Sequence, residues 1–153
     1  VRGPQVMLGY RNRPEETAES LRDGWLYTGD IGYLDEDNYL FVTGRKKEMI
    51  LVSGFNVFPR EIEELLFLYP GIKEAAVVGK EDEYRGELPI AFIVAVEGEV
   101  LDVDQLRTYC ETKLADYKVP VEFRIVNSLP KTAVGKVNKI TLTSMANNNA
   151  ETE

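Results

Sequence analysis

The sequence predicts an α+β domain, a small mixed β-sheet with helices packed against it, for most of the chain. Three observations lead there. Beyond Arg45 the order of elements reads hairpin, helix, strand, strand, helix, strand, loop. Two short runs, 75–78 and 90–96, are almost continuously apolar, as in strands covered on both faces. Ahead of Arg45 the sequence is rich in strand formers but too short to enclose a core alone, and it reads as the last part of something larger. A boundary falls at 45–47.

The elements follow in order. Residues 5–8 resemble the end of a strand. Pro14 opens a short helix with Glu15 and Glu16 in its first turn, where carboxylates suit the dipole. Asp23-Gly24 marks a turn, and the aromatic and β-branched stretch 25–43 breaks at 35–38, which predicts a hairpin. Stretches 49–52 and 56–58 flank Ser53-Gly54 as a second, tighter hairpin. Pro59 starts a helix in which Ile62, Leu65, Leu66 and Tyr69 recur at helical spacing, and Pro70-Gly71 ends it. Asp102 with Gln105 forms a capping signal ahead of the stripe Leu106, Tyr109, Cys110, Leu114 and Tyr117. Val121, Phe123 and Ile125 alternate with Glu122 and Arg124, the pattern of a strand with one wet face. Residues 129–136 form a polar loop, and 146–153 read as a disordered tail.

Composition removes several function classes. Hydrophobic residues make up 44 % and charged residues 29 % of the 153, an ordinary globular balance. A net charge of -8 argues against a general electrostatic grip on nucleic acid. Any phosphate-bearing ligand must therefore be held by a few local cations or backbone N–H groups. The chain has no histidine, which removes imidazole acid–base chemistry, His triads and His metal sites. Its single cysteine, Cys110, can form neither an internal disulfide nor a thiolate cluster. No apolar run approaches the roughly 20 residues of a membrane span. The expected setting is cytoplasmic, at most peripheral to a membrane.

Three polar constellations can carry chemistry. In Tyr27-Thr28-Gly29-Asp30 a carboxylate follows a glycine at a strand end, where it can accept hydrogen bonds from the two hydroxyls of a ribose; a turn aspartate reads the same way. Gly44-Arg45-Lys46-Lys47-Glu48 is a charged cluster between apolar strands, either a ligand contact or a solvated linker. Pro130 to Lys136 puts Gly135 and Lys136 on a polar loop, where backbone and ammonium can approach an anion together. It lacks the spacing and following helix of a P-loop.

Taken together and in order, VMLGY…PEET, DGWLYTGDIG, GRKKEMILVSGFNVFPREIEE and LPKTAVGK resemble the closing motifs of AMP-forming acyl-CoA synthetases, across about residues 1–142. The resemblance implies that residues 1–45 end a large adenylate-forming domain and that 46–145 form its mobile lid. It implies that Asp30 holds the ribose hydroxyls and that Arg45 reaches the same nucleotide. Lys47 would be the hinge, Ser53, Gly54 and Phe55 would approach the pantetheine arm of CoA, and Arg85 would meet a CoA phosphate. Lys136 would be the catalytic lysine of adenylation, a buried ammonium beside the α-phosphate. Leu51, Asn38 and Lys139 depart from frequent residues of the family. ATP, Mg²⁺, CoA and a carboxylic acid, foremost a fatty acid, are the implied substrates and cofactors, with no metal site in this stretch. The nucleotide and acyl pockets belong to the missing N-terminal domain, so the chain alone is expected not to turn over. Adenylation domains of peptide synthetases and luciferases share the motifs and stay open as alternatives. So do a stand-alone lid-type binding module and a structural interaction domain.

Overall fold

A computed structural model describes residues 1–148. The chain divides into two compact units, Val1–Lys47 and the residues from Glu48 on. No described helix is long and apolar enough to cross a membrane.

The first unit is a set of small local pieces. Helix α1 (Pro14–Ser20) starts on proline with Glu15 and Glu16 in its first turn. Strands β1 (Leu21–Arg22) and β2 (Trp25–Leu26) close around Asp23-Gly24. A longer antiparallel hairpin joins β3 (Asp30–Leu34) to β4 (Leu40–Arg45). Its turn is built by Asp35, whose side chain accepts the N–H groups of Asp37 and Tyr39, and by Asn38 at φ 64°. Asparagine tolerates that left-handed conformation better than most residues. The strand expected at 5–8 does not form: the segment is turns and bends. Its apolar residues find no neighbouring strand to pair with.

The second unit is the α+β domain. Strands β5 (Ile50–Val52) and β6 (Phe55–Val57) form the tight hairpin, and α2 (Pro59–Phe67) follows at once. Strands β7 (Ile72–Asp82) and β8 (Gly86–Ala95) make a long antiparallel hairpin, with α3 (Val103–Glu111) after it. Strand β9 (Glu122–Ile125) pairs parallel to β8 along Ile90 to Ile93, on the edge of β8 that β5 joins at Gly86. The five-stranded sheet is thus mixed, and β7 is an edge strand paired only with β8. Both β7 and β8 run past the apolar stretches that announced them. Their charged ends, such as Lys80, Glu81 and Asp82, extend the ladder through backbone bonds that leave no hydrophobic signature.

Two cores lie on opposite faces of the sheet, as the alternation of strand side chains requires. On one face Val77, Ala91 and Ile93 pack with Ile62 and Leu66 of α2 and Leu106 and Cys110 of α3. On the other, Ala76, Val78, Ile90 and Phe92 pack with Leu129, Leu142 and Ala146. The second core depends on a helix absent from the sequence reading, α4 (Lys139–Asn147). Three expectations are corrected with it. Residues 146 and 147 belong to α4 with Ala146 fully buried, so no tail begins there; residues 149–153 lie outside the described residues. The expected wet face of β9 is wet only at Glu122, for Arg124 lies over the Phe92 ring and donates to the Met145 carbonyl. Helix α3 stops at Glu111, and Leu114 and Tyr117 reach the first core from the turn beyond it.

Candidate functional site

In the first unit, Asp30 and Arg45 are register partners across β3 and β4, with Arg45 Nε 3.1 Å from Asp30 Oδ1. Thr28 Oγ1 accepts the Asp30 N–H, and the Lys46 N–H donates to the Gly29 carbonyl. The pair is exposed and leaves acceptor positions on the carboxylate open. That suits hydrogen-bond donors such as paired hydroxyls. Lys47 is exposed in the short 3-10 turn Lys46–Glu48 that follows β4.

Ser53, Gly54, Phe55 and Arg85 come together in the second unit. Ser53 and Gly54 both have positive φ, 49° and 86°, the twist a two-residue hairpin turn needs. Glycine takes it freely, whereas serine is strained there. The Ser53 N–H donates to the Arg85 carbonyl at 2.7 Å, which ties this turn to the β7–β8 turn. Arg85 is in turn placed by Asp82, whose Oδ1 accepts the N–H groups of Tyr84 and Arg85. Phe55 is half exposed and stacks on Tyr117 with ring centroids 4.5 Å apart. Backbone donors, a guanidinium and an aromatic face thus share one exposed end of the domain.

Lys136 sits at the tip of another hairpin. Lys131 faces Val137 in an isolated bridge, the Thr132 N–H donates to the Lys136 carbonyl, and the Gly135 N–H donates to Thr132. Thr132 Oγ1 accepts the Lys136 N–H. Gly135 stands at φ 81°, with nothing within 4 Å of where a Cβ would lie, so backbone conformation sets the need for glycine there. Lys136, whose ammonium is expected to be buried beside a bound α-phosphate, is exposed in this chain, where no described residue of the second unit covers the tip. It makes no ion pair among the described residues. Lys131 is ion-paired with Glu74, at the start of β7. The Arg85 turn lies at the other end of that strand. Eight extended residue steps lead from Glu74 to Asp82, about 27 Å, so the Lys136 hairpin and the Ser53–Arg85 cluster occupy opposite ends of one sheet.

Several supporting residues escaped the sequence reading. Glu87 accepts the Leu51 N–H beside the Ser53 turn, and Lys139 bridges Glu48 and Glu63. A signal for α4 was present: Asn138 caps the Thr141 N–H, and the buried Leu142 and Ala146 stand four residues apart. Among the described residues no group of three or more Asp, Glu, Cys or His side chains could hold a metal ion.

Comparison with known proteins adds the family context. Residues 61–136 match the model of the AMP-binding enzyme C-terminal domain. The chain is 50 % identical over 137 residues to a long-chain-fatty-acid–CoA ligase of Bacillus subtilis, covering 90 % of this chain and 24 % of that protein. It is 48 % identical over 139 residues to a 2-succinylbenzoate–CoA ligase of Listeria monocytogenes, covering 91 % and 29 %. Among solved structures, an amide bond synthetase from Marinactinospora thermotolerans superimposes with a TM-score of 0.90 at 38 % identity, over 96 % of this chain and 30 % of that one. An o-succinylbenzoate CoA synthetase from Bacillus subtilis, in complex with its acyl-adenylate, gives 0.87 at 36 % identity, over 99 % and 30 %. The chain spans under a third of the length of these relatives.

Proposed function

The chain belongs to the AMP-binding enzymes through their C-terminal domain, and from that premise we propose that it is the closing part of an acid–CoA ligase. In the first step a substrate carboxylate attacks the α-phosphorus of ATP and pyrophosphate leaves. In the second, the thiol of CoA attacks the acyl carbonyl and AMP leaves. Fatty acids are the first substrate class to test, with 2-succinylbenzoate-like aromatic acids second, since relatives of both kinds are about equally similar.

The observation that carries this reading is the presentation of Lys136, an exposed ammonium with no ion pair among the described residues, on a closed hairpin inside the matched segment. Carboxylate attack gathers negative charge on oxygens that repel the nucleophile. A compact cation held nearby offsets that charge as it develops. Asp30 would take the ribose hydroxyls with Arg45 beside it, and the Ser53–Arg85 cluster would take the CoA arm and its phosphate. The two clusters at opposite ends of the sheet support a domain that presents one end for each step. Lys47, at the junction of the units, is the proposed pivot.

The test uses the full-length protein that contains this chain. Lys136→Ala should reduce adenylation, read as ATP–pyrophosphate exchange over a panel of acids, by about 10²–10³-fold. Thioester formation from supplied acyl-adenylate should fall far less, and equal losses in both steps would sink the assignment. Proline fixes φ and restricts the residue before it. Lys47→Pro should therefore hold adenylation within about tenfold while thioester formation falls by about a hundredfold or more, as expected of a blocked hinge. If both steps slow alike, the pivot lies elsewhere.

A further inference from the structure

One lysine of the second unit is seated between carboxylates from two different elements. Lys139, the first residue of α4, holds its Nζ 2.9 Å from Glu48 Oε2 and 2.9 Å from Glu63 Oε1. Its side chain is 23 % exposed and that of Glu63 16 %, well below the surface pair Arg60–Glu64. Glu63 is itself fixed, because the same Oε1 accepts the Val77 N–H at 2.8 Å. Glu48 ends the turn that contains Lys47 and is the first residue of the second unit.

Lys139 also stands at the root of the Lys136 hairpin. The preceding residue, Asn138, donates its N–H to the Pro130 carbonyl at 2.8 Å, and Lys131 faces Val137. The hairpin is therefore closed at its base, with Lys131 bound to Glu74 on one stem and Lys139 bound to Glu48 and Glu63 on the other. The triad is not needed to form or seat α4. Leu142 and Ala146 are already fully buried, and Asn138 already caps the first turn. A cation in the first turn of a helix opposes the dipole, so the helix gains nothing from it.

We propose that Lys139 is a positioning residue for Lys136. Its ammonium binds the base of the hairpin to Glu48, so the tip moves as one body with the first residue beyond the proposed pivot and arrives in register at the phosphates. This rests on the reading of Lys136 as the cation of adenylation. The loss of the tie leaves Lys136 present but poorly placed, which costs turnover in the first step and not affinity for ATP.

The experiment compares Lys139→Met, Lys139→Arg, Glu48→Gln and Lys136→Ala in the full-length enzyme, with both half-reactions and thermal melting measured for each. Lys139→Met should lower adenylation kcat by about tenfold with KM for ATP within about twofold, since small misplacement of a reacting group is costly. Thioester formation should stay within about twofold, and Lys139→Arg should recover most of the loss. Glu48→Gln should show a smaller loss of the same selectivity, and adding it to Lys139→Met should change nothing more. A loss shared by both half-reactions, no rescue by arginine, or full additivity overturns the proposal. Should Lys139→Met fail to fold, Glu48→Gln decides by the same criterion of step selectivity. If Lys136→Ala abolishes adenylation while Lys139→Met leaves it intact, this inference falls alone. If Lys136→Ala leaves adenylation intact, the functional reading falls first.

Discussion

From Val1 to Lys47 no side chain is fully buried, whereas the second unit encloses two apolar cores on either face of its sheet. The first unit nevertheless carries many large apolar side chains. Tyr33, Leu34, Tyr39, Leu40 and Phe41 lie along its main hairpin, and all are exposed. Its strands are held by backbone ladders, the Asp35 turn and one stacked ring pair, Tyr33 on Phe41. Isolated hairpins of that kind are marginal in water, while a sheet covered by helices is not. Large apolar side chains are thus present in both units, and enclosure makes the difference.

The largest expected contrast comes from truncating one apolar side chain in each unit. Leu66→Ala should destabilise the second unit by about 2–5 kcal/mol, because it empties a fully buried site. Phe41→Ala should change that same unfolding transition by less than about 0.5 kcal/mol. Urea titration of the 153-residue chain followed by circular dichroism measures both. A comparable loss from Phe41→Ala would mean that the units unfold together.

A second contrast concerns alkaline pH. Burial pushes the Cys110 thiol up to about 11, with a smaller opposing pull from Arg107. In the unfolded chain the thiol loses its proton near pH 8.5–9. Between those values the native state holds more protons than the unfolded state, so stability falls as pH rises through that window. The loss should be on the order of 3 kcal/mol by pH 11, and absent in Cys110→Ala relative to its own value at pH 8. The first unit has no cysteine and shares none of this dependence. Glu122 works in the opposite direction: its hydrogen bonds to Arg124 hold its carboxyl below the usual range. That contribution is present above the ordinary carboxylate range and is lost as pH falls through the folded value.

The smallest contrast is between helix starts. Asp102 accepts the N–H groups of Asp104 and Gln105 at the head of α3, whereas α1 begins at Arg13 with no side-chain cap. Asp102→Ala should cost about 1 kcal/mol. Arg13→Ala should leave the helical signal of the chain unchanged.

What the sequence made legible follows from which forces leave a local mark. Proline starts, the Asp102 cap and the Ser53-Gly54 turn are written in adjacent residues, and all form where expected. The relatedness carried by the LPKTAVGK and GRKKEMILVSGFNVFPREIEE motifs was equally readable, because motif order is a linear property. Helix α4 was not. Only Leu142 and Ala146 face its core, and Ile140 is exposed, so its hydrophobic pattern is faint. The strand suggested at 5–8 fails for the opposite reason: apolar residues are necessary for a strand but pairing decides it. Ties such as Lys139 to Glu48 join residues far apart in the chain, and no spacing rule reports them. The burial assigned to Lys136 came from the chemistry it would perform, and the fold of this chain does not supply it.

Strand β7 is an edge of the sheet, and the side chains that occupy part of that edge bear on association between molecules. Its outward N–H groups at Val77 and Glu81 are taken by the Glu63 carboxylate and the Asn147 side-chain oxygen. A strand edge with free donors is a template for another chain, and occupied donors withdraw that invitation. Glu63 therefore guards against association between molecules with the same oxygen that holds Lys139 within one. A change at this single position would couple two failures that are otherwise unrelated, a loosened hairpin root and a chain whose behaviour depends on its own concentration.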